Sequence, residues 1–196
     1  MPSFPKHHLM NLRLLFTFLL LSSFAHAHPG HEMTGFTDGI LHPLQGLDHL
    51  SAMIAVGILA AQLGGRNRWI LPASFVSAMG IGLLCGLYNQ ATAWVEALIA
   101  ISILVLGTLV AGVVRIKAVT AVLLVAACAW VHGLAHGTET PLVDRVRYVE
   151  GIFLSTAILH LVGLGVGTFL LTSGRSSLLR SAGLAVCTVG LLAMGK

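Results

Sequence analysis

Long apolar runs separated by short polar segments divide the chain into one short segment followed by six longer ones. The longer runs cover residues 36–63, 69–88, 94–114, 118–137, 149–171 and 177–194. A helix of about 20 apolar residues spans a bilayer, so each run is long enough to cross. Leu, Ala, Gly and Val dominate the runs without period-two alternation, which favours helices over a barrel. The pattern predicts an all-α, polytopic membrane protein with one six-helix transmembrane domain over residues 36–196.

The short N-terminal segment has the organisation of a secretory signal peptide. Basic residues precede an apolar run over residues 14–24, which is about 11 residues long and therefore too short to span a bilayer. Ala25-His26-Ala27 matches the A-x-A pattern of a cleavage site. We expect residues 1–27 to be a cleaved signal peptide and residues 28–35 to form a periplasmic, histidine-containing N-terminus. An uncleaved N-terminal anchor is the alternative.

Charge is scarce and unevenly placed. Only 9% of the 196 residues are charged and 56% are hydrophobic, whereas a soluble domain carries about 25% charge. The chain is therefore expected to have the lipid bilayer as its surroundings, and a formal net charge of +4 gives no indication of nucleic-acid binding. Basic residues without acidic neighbours fall in the first, third and fifth connections: Arg66, Arg68, Arg115, Lys117, Arg175 and Arg180. The second connection has no charge, and the fourth is mixed, with Asp144, Arg145, Arg147 and Glu150. The positive-inside rule places the first, third and fifth connections in the cytoplasm and both mature termini outside.

The first long run contains the densest group of ionisable residues. His42, Asp48 and His49 lie within eight residues, and an ionisable residue inside a membrane span indicates a functional site. If the chain is helical after Pro43, His42 and His49 share a face and Met53 lies one further turn along it. Asp48 would point roughly 120° away from His42, where it could complete a metal site or orient an imidazole.

A second group closes the fourth long run. His132, His136 and Glu139 stand at i, i+4 and i+7, so they lie on one helical face. Imidazole and carboxylate groups at this spacing are suited to a divalent first-row metal ion. The alternative is a structural role, in which the histidines link helices through hydrogen bonds. For His160, which stands alone near mid-membrane, the structural role is favoured.

Other residues could extend a metal path. His28 and His31 in the expected periplasmic N-terminus could capture metal, or could belong to an unstructured tail. Glu96 opens the third span on the same outer side, where the helix dipole also favours a carboxylate at a helix start. His160 would lie on the way to the cytoplasm.

The two motifs together resemble the HupE/UreJ family. HPLQGLDHLSAMIAVG fits a pattern of His, five residues and Asp-His, followed by Met and Val-Gly. WVHGLAHGTE resembles the family signature His-Gly-x-Ala-His-Gly-x-Glu, with Trp130-Val131 where a Phe often precedes the first His. The resemblance covers essentially the whole mature chain.

This resemblance implies a permease for nickel, or in some members cobalt, in a bacterial inner membrane. It also implies a functional link to hydrogenase or urease maturation. The ion would be transported cargo rather than a permanent cofactor. The resemblance assigns the metal-site roles to His42, Asp48, His49, His132, His136 and Glu139. Nickel follows from the resemblance alone, because imidazole and carboxylate ligands suit several first-row ions.

We expect no enzyme activity, since the chain has no P-loop, GxSxG or HExxH motif.

Three alternative functions remain open. A membrane-embedded metal-dependent hydrolase could use the same ligands to activate water and would need a substrate-sized cleft. A bis-histidine haem protein would pair one histidine from each group, although the nearby carboxylates disfavour it. A purely structural membrane subunit is the last reading.

Overall fold

The computed structural model describes residues 35–88, 93–113 and 116–195. Within these residues the chain forms seven α-helices and no strand, which confirms the all-α prediction. The helices are α1 (Gly35–Gln45), α2 (Leu47–Leu63), α3 (Asn67–Gly86), α4 (Ala93–Gly112), α5 (Ala118–Glu139), α6 (Arg145–Thr172) and α7 (Ser176–Ala193). The predicted signal peptide and the candidate residues His28 and His31 lie outside the described residues.

Five of the described helices, α3 to α7, are long and apolar enough to cross a membrane. The α1–α2 pair meets the same test when the two helices are taken together, but they are bent by 82° at the break between them. The described residues therefore contain five candidate spans, or six if the bent pair counts as one.

The prediction of one continuous helix over residues 36–63 is wrong. α1 ends at Gln45, and Gly46 takes an extended backbone conformation (φ −97°, ψ 119°) before α2 begins. Pro43 contributes to the break because it has no N–H for the helical ladder. His42 therefore lies on α1 and His49 with Met53 on α2, so the three residues do not share one helical face as expected.

The bend has a direct consequence for the two imidazoles. On a straight helix, side chains seven residues apart are separated by about 10 Å along the axis. In the bent pair the ring centroids of His42 and His49 are 6.2 Å apart. The break at Gly46 thus brings the two rings closer together than a continuous helix would.

α2 is the central helix of the described bundle. Nearly all its residues from Ala52 to Ala61 are buried, and it contacts each of the other six described helices. α3 packs along α5, α4 packs along α7, and α6 packs along both α1 and α2. A histidine placed near the start of α2 is therefore surrounded by protein.

Glycines allow α2 and α6 to approach closely. A Cβ atom on Gly57 would overlap the backbone carbonyl of His160, and one on Gly163 would overlap the carbonyl of Ile54. Gly163 thus has the close-packing role expected for glycine in membrane helices. Gly165, two residues further on, faces open space.

Acidic residues gather at one end of the described bundle, which also carries Arg145 and Arg147 at the start of α6, and the other described basic residues lie at the opposite end. Short connections and the helix contacts place the starts of α2, α4 and α6 and the ends of α3 and α5 together. We call this the acidic end, because every acidic residue that the structure describes lies there: Asp38, Asp48, Glu96, Glu139, Asp144 and Glu150. The opposite, basic end carries Arg66, Arg68, Lys117, Arg175 and Arg180.

Candidate metal site

Four histidines from three helices form one contiguous group near the acidic end. We call this group, which consists of His42 on α1, His49 on α2, and His132 and His136 on α5, the histidine cluster. The centroid of the His49 ring is 4.6 Å from that of His136 and 5.1 Å from that of His132. The His42 ring centroid is 5.1 Å from that of His136. The structure therefore brings the two sequence motifs together.

The outermost part of the cluster offers a metal-sized set of ligand atoms. One potential ligand atom from each of His42, His136 and Glu139 lies within 4.8 Å of the other two. The Nε2 atom of His42 is 3.0 Å from a carboxylate oxygen of Glu139. The Glu139 side chain is 42% exposed and that of His42 is 16% exposed, whereas His136 is fully buried. Glu139 thus forms the accessible mouth of the site.

Asp48 contacts the imidazole of His49. Its Oδ1 atom accepts hydrogen bonds from Nδ1 of His49 at 3.0 Å and from the backbone N–H of His49 at 2.8 Å. A carboxylate on Nδ1 holds the proton there and leaves the lone pair on Nε2, as in many histidine metal ligands. The sequence left two roles open for Asp48, and this geometry corresponds to orienting an imidazole.

Ser102 of α4 fixes the orientation of His132. Its hydroxyl donates to the backbone carbonyl of Ile99 at 2.7 Å, so its oxygen must accept the hydrogen bond from Nε2 of His132 at 2.9 Å. A serine hydroxyl has a single proton to donate. This pairing favours the tautomer of His132 with the proton on Nε2 and the lone pair on Nδ1.

Several buried ring nitrogens of the cluster have no hydrogen-bond partner in the described part of the protein. Nε2 of His49, Nδ1 of His132 and both ring nitrogens of His136 have no hydrogen-bond partner among the described residues. Buried polar groups in native proteins are nearly always paired, and each unpaired one costs about 1–3 kcal/mol. Lone pairs on several such nitrogens could instead coordinate a cation.

Glu96 and Met53 lie at the edges of the cluster. Glu96 is exposed in the first turn of α4 and interacts electrostatically with His49. Met53 is fully buried one helical turn after His49 on α2. The roles of both residues in a metal path stay predictions.

Sequence reasoning missed Tyr148, Phe75 and Ser102. Tyr148 is almost fully buried and its ring centroid is 5.7 Å from that of His42. Phe75 contacts His132, with ring centroids 6.1 Å apart, and also His160, at 4.8 Å. Ser102 could have been found, because it is a polar residue within an otherwise apolar run, whereas Tyr148 and Phe75 gave no local signal.

The fold and the cluster together define a helical, membrane-type protein with a candidate site for a divalent cation. The HupE / UreJ protein family matches residues 16–193. The chain therefore belongs to the HupE/UreJ family, as the two motifs predicted. It is 40% identical over 173 residues to Protein HupE of Rhizobium leguminosarum bv. viciae, covering 88% of this chain and 91% of the relative. No solved structure matches the chain.

Proposed function

We propose that this protein is an inner-membrane permease that takes up divalent nickel, or cobalt, from the periplasm. The observation that carries the proposal is the histidine cluster, in which α1, α2 and α5 place four imidazoles together, with the Glu139 carboxylate beside them. Imidazole and carboxylate ligands suit nickel, cobalt and zinc. Membership of the HupE/UreJ family supports nickel or cobalt among these and implies a link to hydrogenase or urease maturation.

The proposed topology has six spans, with the bent α1–α2 pair as the first. The acidic end then faces the periplasm and the basic end the cytoplasm, since cytoplasmic loops carry the excess of Lys and Arg. This arrangement agrees with a signal peptide over residues 1–27 and a periplasmic segment over residues 28–35.

The burial of the ligands suggests an order of events in uptake. The cation first meets Glu139, His42 and His136, assisted by Glu96 and by the N-terminal His28 and His31. It then passes to the deeper nitrogens of the cluster, which are Nε2 of His49 and Nδ1 of His132. Several ligands must act together, because a bare divalent ion in a low-dielectric interior is very costly. Binding must also be weak enough for release.

The hydrolase alternative gains no support from the described surface. A hydrolase would need a substrate-sized cleft beside the metal. The described groove of about 490 Å³ between α3 and α6 has none of the histidine cluster in its wall; its residues are Leu83, Leu84, Leu87, Arg145, Val146, Val149, Glu150 and Phe153. The permease is the function that the site supports best, because its ligand atoms lie between an exposed carboxylate and buried imidazoles.

The test is uptake of radiolabelled nickel into cells that express the protein, with cobalt and zinc as competitors. Glu139→Gln and His49→Ala should each abolish saturable uptake at matched membrane levels. Glu150→Gln is the matched control, because it changes an exposed carboxylate at the same end but outside the cluster. Absence of uptake by well-expressed wild-type protein, or uptake indifferent to both cluster variants, would contradict the proposal.

A further inference from the structure

His160 is a buried histidine on α6 that does not belong to the histidine cluster. It is 1% exposed, and both of its ring nitrogens lack a hydrogen-bond partner among the described residues. A neutral imidazole has one donor and one acceptor, and leaving them unpaired in the interior costs about 1–3 kcal/mol per group. The unpaired ring of His160 is therefore available to coordinate a ligand.

The side chains beside His160 supply further donor atoms. Thr156 lies one turn before His160 on α6, and its hydroxyl donates a hydrogen bond to Sδ of Met79 on α3 at 3.8 Å. Thr156 and Met79 are both fully buried. A hydroxyl oxygen and a thioether thus lie in contact where α3 faces α6, one helical turn from the imidazole of His160.

The ring of Phe75 lies beside both His160 and His132 of the histidine cluster. Its fully buried ring makes an edge contact with His160, with centroids 4.8 Å apart, and its centroid is 6.1 Å from that of His132. His160 follows the start of α6 by 15 residues, which corresponds to about 22 Å along the helix and lies close to the middle of its 28 residues. The ring of Phe75 therefore contacts His132 of the cluster on one side and His160, further from the start of α6, on the other.

We propose that His160, with Met79 and Thr156, forms an inner relay site for the transported divalent cation, and that the ring of Phe75 lies between the imidazoles of His132 and His160 on the way to it. The inference rests on the proposed function, which it deepens. Imidazole, thioether and hydroxyl donors are neutral, so they hold a divalent ion less tightly than a set that includes carboxylates. A weaker second site lets the ion move on after leaving the periplasmic mouth. The thioether also favours softer first-row ions over magnesium and calcium.

The test combines two measurements. Uptake kinetics are measured in cells that express the protein, and bound metal is counted on purified, full-length protein in lipid nanodiscs. Cobalt(II) is the probe for binding, and radiolabelled nickel is the probe for uptake. His160→Leu should lower the maximum uptake rate about tenfold or more while leaving the half-saturating nickel concentration within about twofold, because capture at the mouth is unchanged. The number of cobalt ions bound at saturation should fall by one.

Two further variants guard against a folding defect. Met79→Leu removes the thioether with little change of volume and should lower the maximum rate in the same way. Ser155→Ala changes the buried polar neighbour of Thr156 and should leave both the rate and the cobalt count unaltered.

An unchanged rate and an unchanged cobalt count in His160→Leu would overturn the inner site and leave a polar pocket without a metal. If wild-type protein gave no uptake, the proposed function would fail, and the cobalt count would still decide the inner site separately.

Discussion

The carboxylate of Asp48 accepts a hydrogen bond from Nδ1 of His49 at 3.0 Å, and this leaves Nε2 of the same ring buried and unpaired among the described residues. The relationship gives two adjacent residues different tasks. Asp48 fixes the proton and the ring orientation, and His49 presents its lone pair to the cluster.

Replacing Asp48 with Asn tests this division of tasks. The amide keeps nearly the same shape, but it cannot raise the basicity of the imidazole as a carboxylate does. We expect Asp48→Asn to raise the half-saturating nickel concentration about 10–100-fold, the usual effect of losing such a partner. The measurement is the concentration dependence of nickel uptake at matched membrane levels. An unchanged concentration dependence would limit Asp48 to a structural role.

Ser102 gives a prediction that is independent of transport. Because the hydroxyl of Ser102 accepts from Nε2 of His132, wild-type protein should show the Nε2-protonated tautomer at this residue. Nitrogen-15 NMR of histidine-labelled protein, assigned with a His132→Gln variant, reports the tautomer. Ser102→Ala should give a mixture of tautomers and weaker nickel uptake, and Ser102→Thr should restore both. A pure Nδ1-protonated signal in the wild type would contradict the assignment.

Two glycines of α6, Gly163 and Gly165, should differ in how their replacement by alanine changes thermal stability. Gly163→Ala should lower the thermal stability of the purified protein, because the added Cβ meets the α2 backbone at Ile54. Gly165→Ala should be neutral or stabilising by up to about 1 kcal/mol, because it faces open space and alanine is the better helix former. Thermal unfolding of both variants in one detergent is the measurement. Equal losses would argue against the close α2–α6 crossing.

Nickel uptake should depend on the pH of the outer medium. A histidine side chain has a reference pKa of about 6.5 and binds metal only when neutral, so protons compete with the cation as the medium is acidified. We expect uptake to fall as the pH decreases from 7.5 through about 6. The check is the initial uptake rate measured at a fixed free nickel concentration. A rate that stays flat down to about pH 5 would argue against histidine ligands.

The sequence predicts much of the site because the chemistry is concentrated in two motifs. Hydropathy locates the helices, and the histidines stand out because ionisable residues are costly in lipid. The bend at Gly46 was not predicted, since a single Pro and a nearby Gly are tolerated within many membrane helices. Phe75 and Ser102 belong to other helices, and their contacts with His132 depend on how those helices pack, which local periodicity does not encode.

Nickel influx into proteoliposomes that contain only the purified protein tests the central claim most directly. A nickel-sensitive dye is enclosed in the vesicles, and nickel is added outside to the wild type and to a His49→Ala/His136→Ala double variant, with insertion and orientation matched. The account predicts saturable influx through the wild-type protein and only background leakage through the double variant. No influx through the inserted wild type, or equal influx through both proteins, would contradict it.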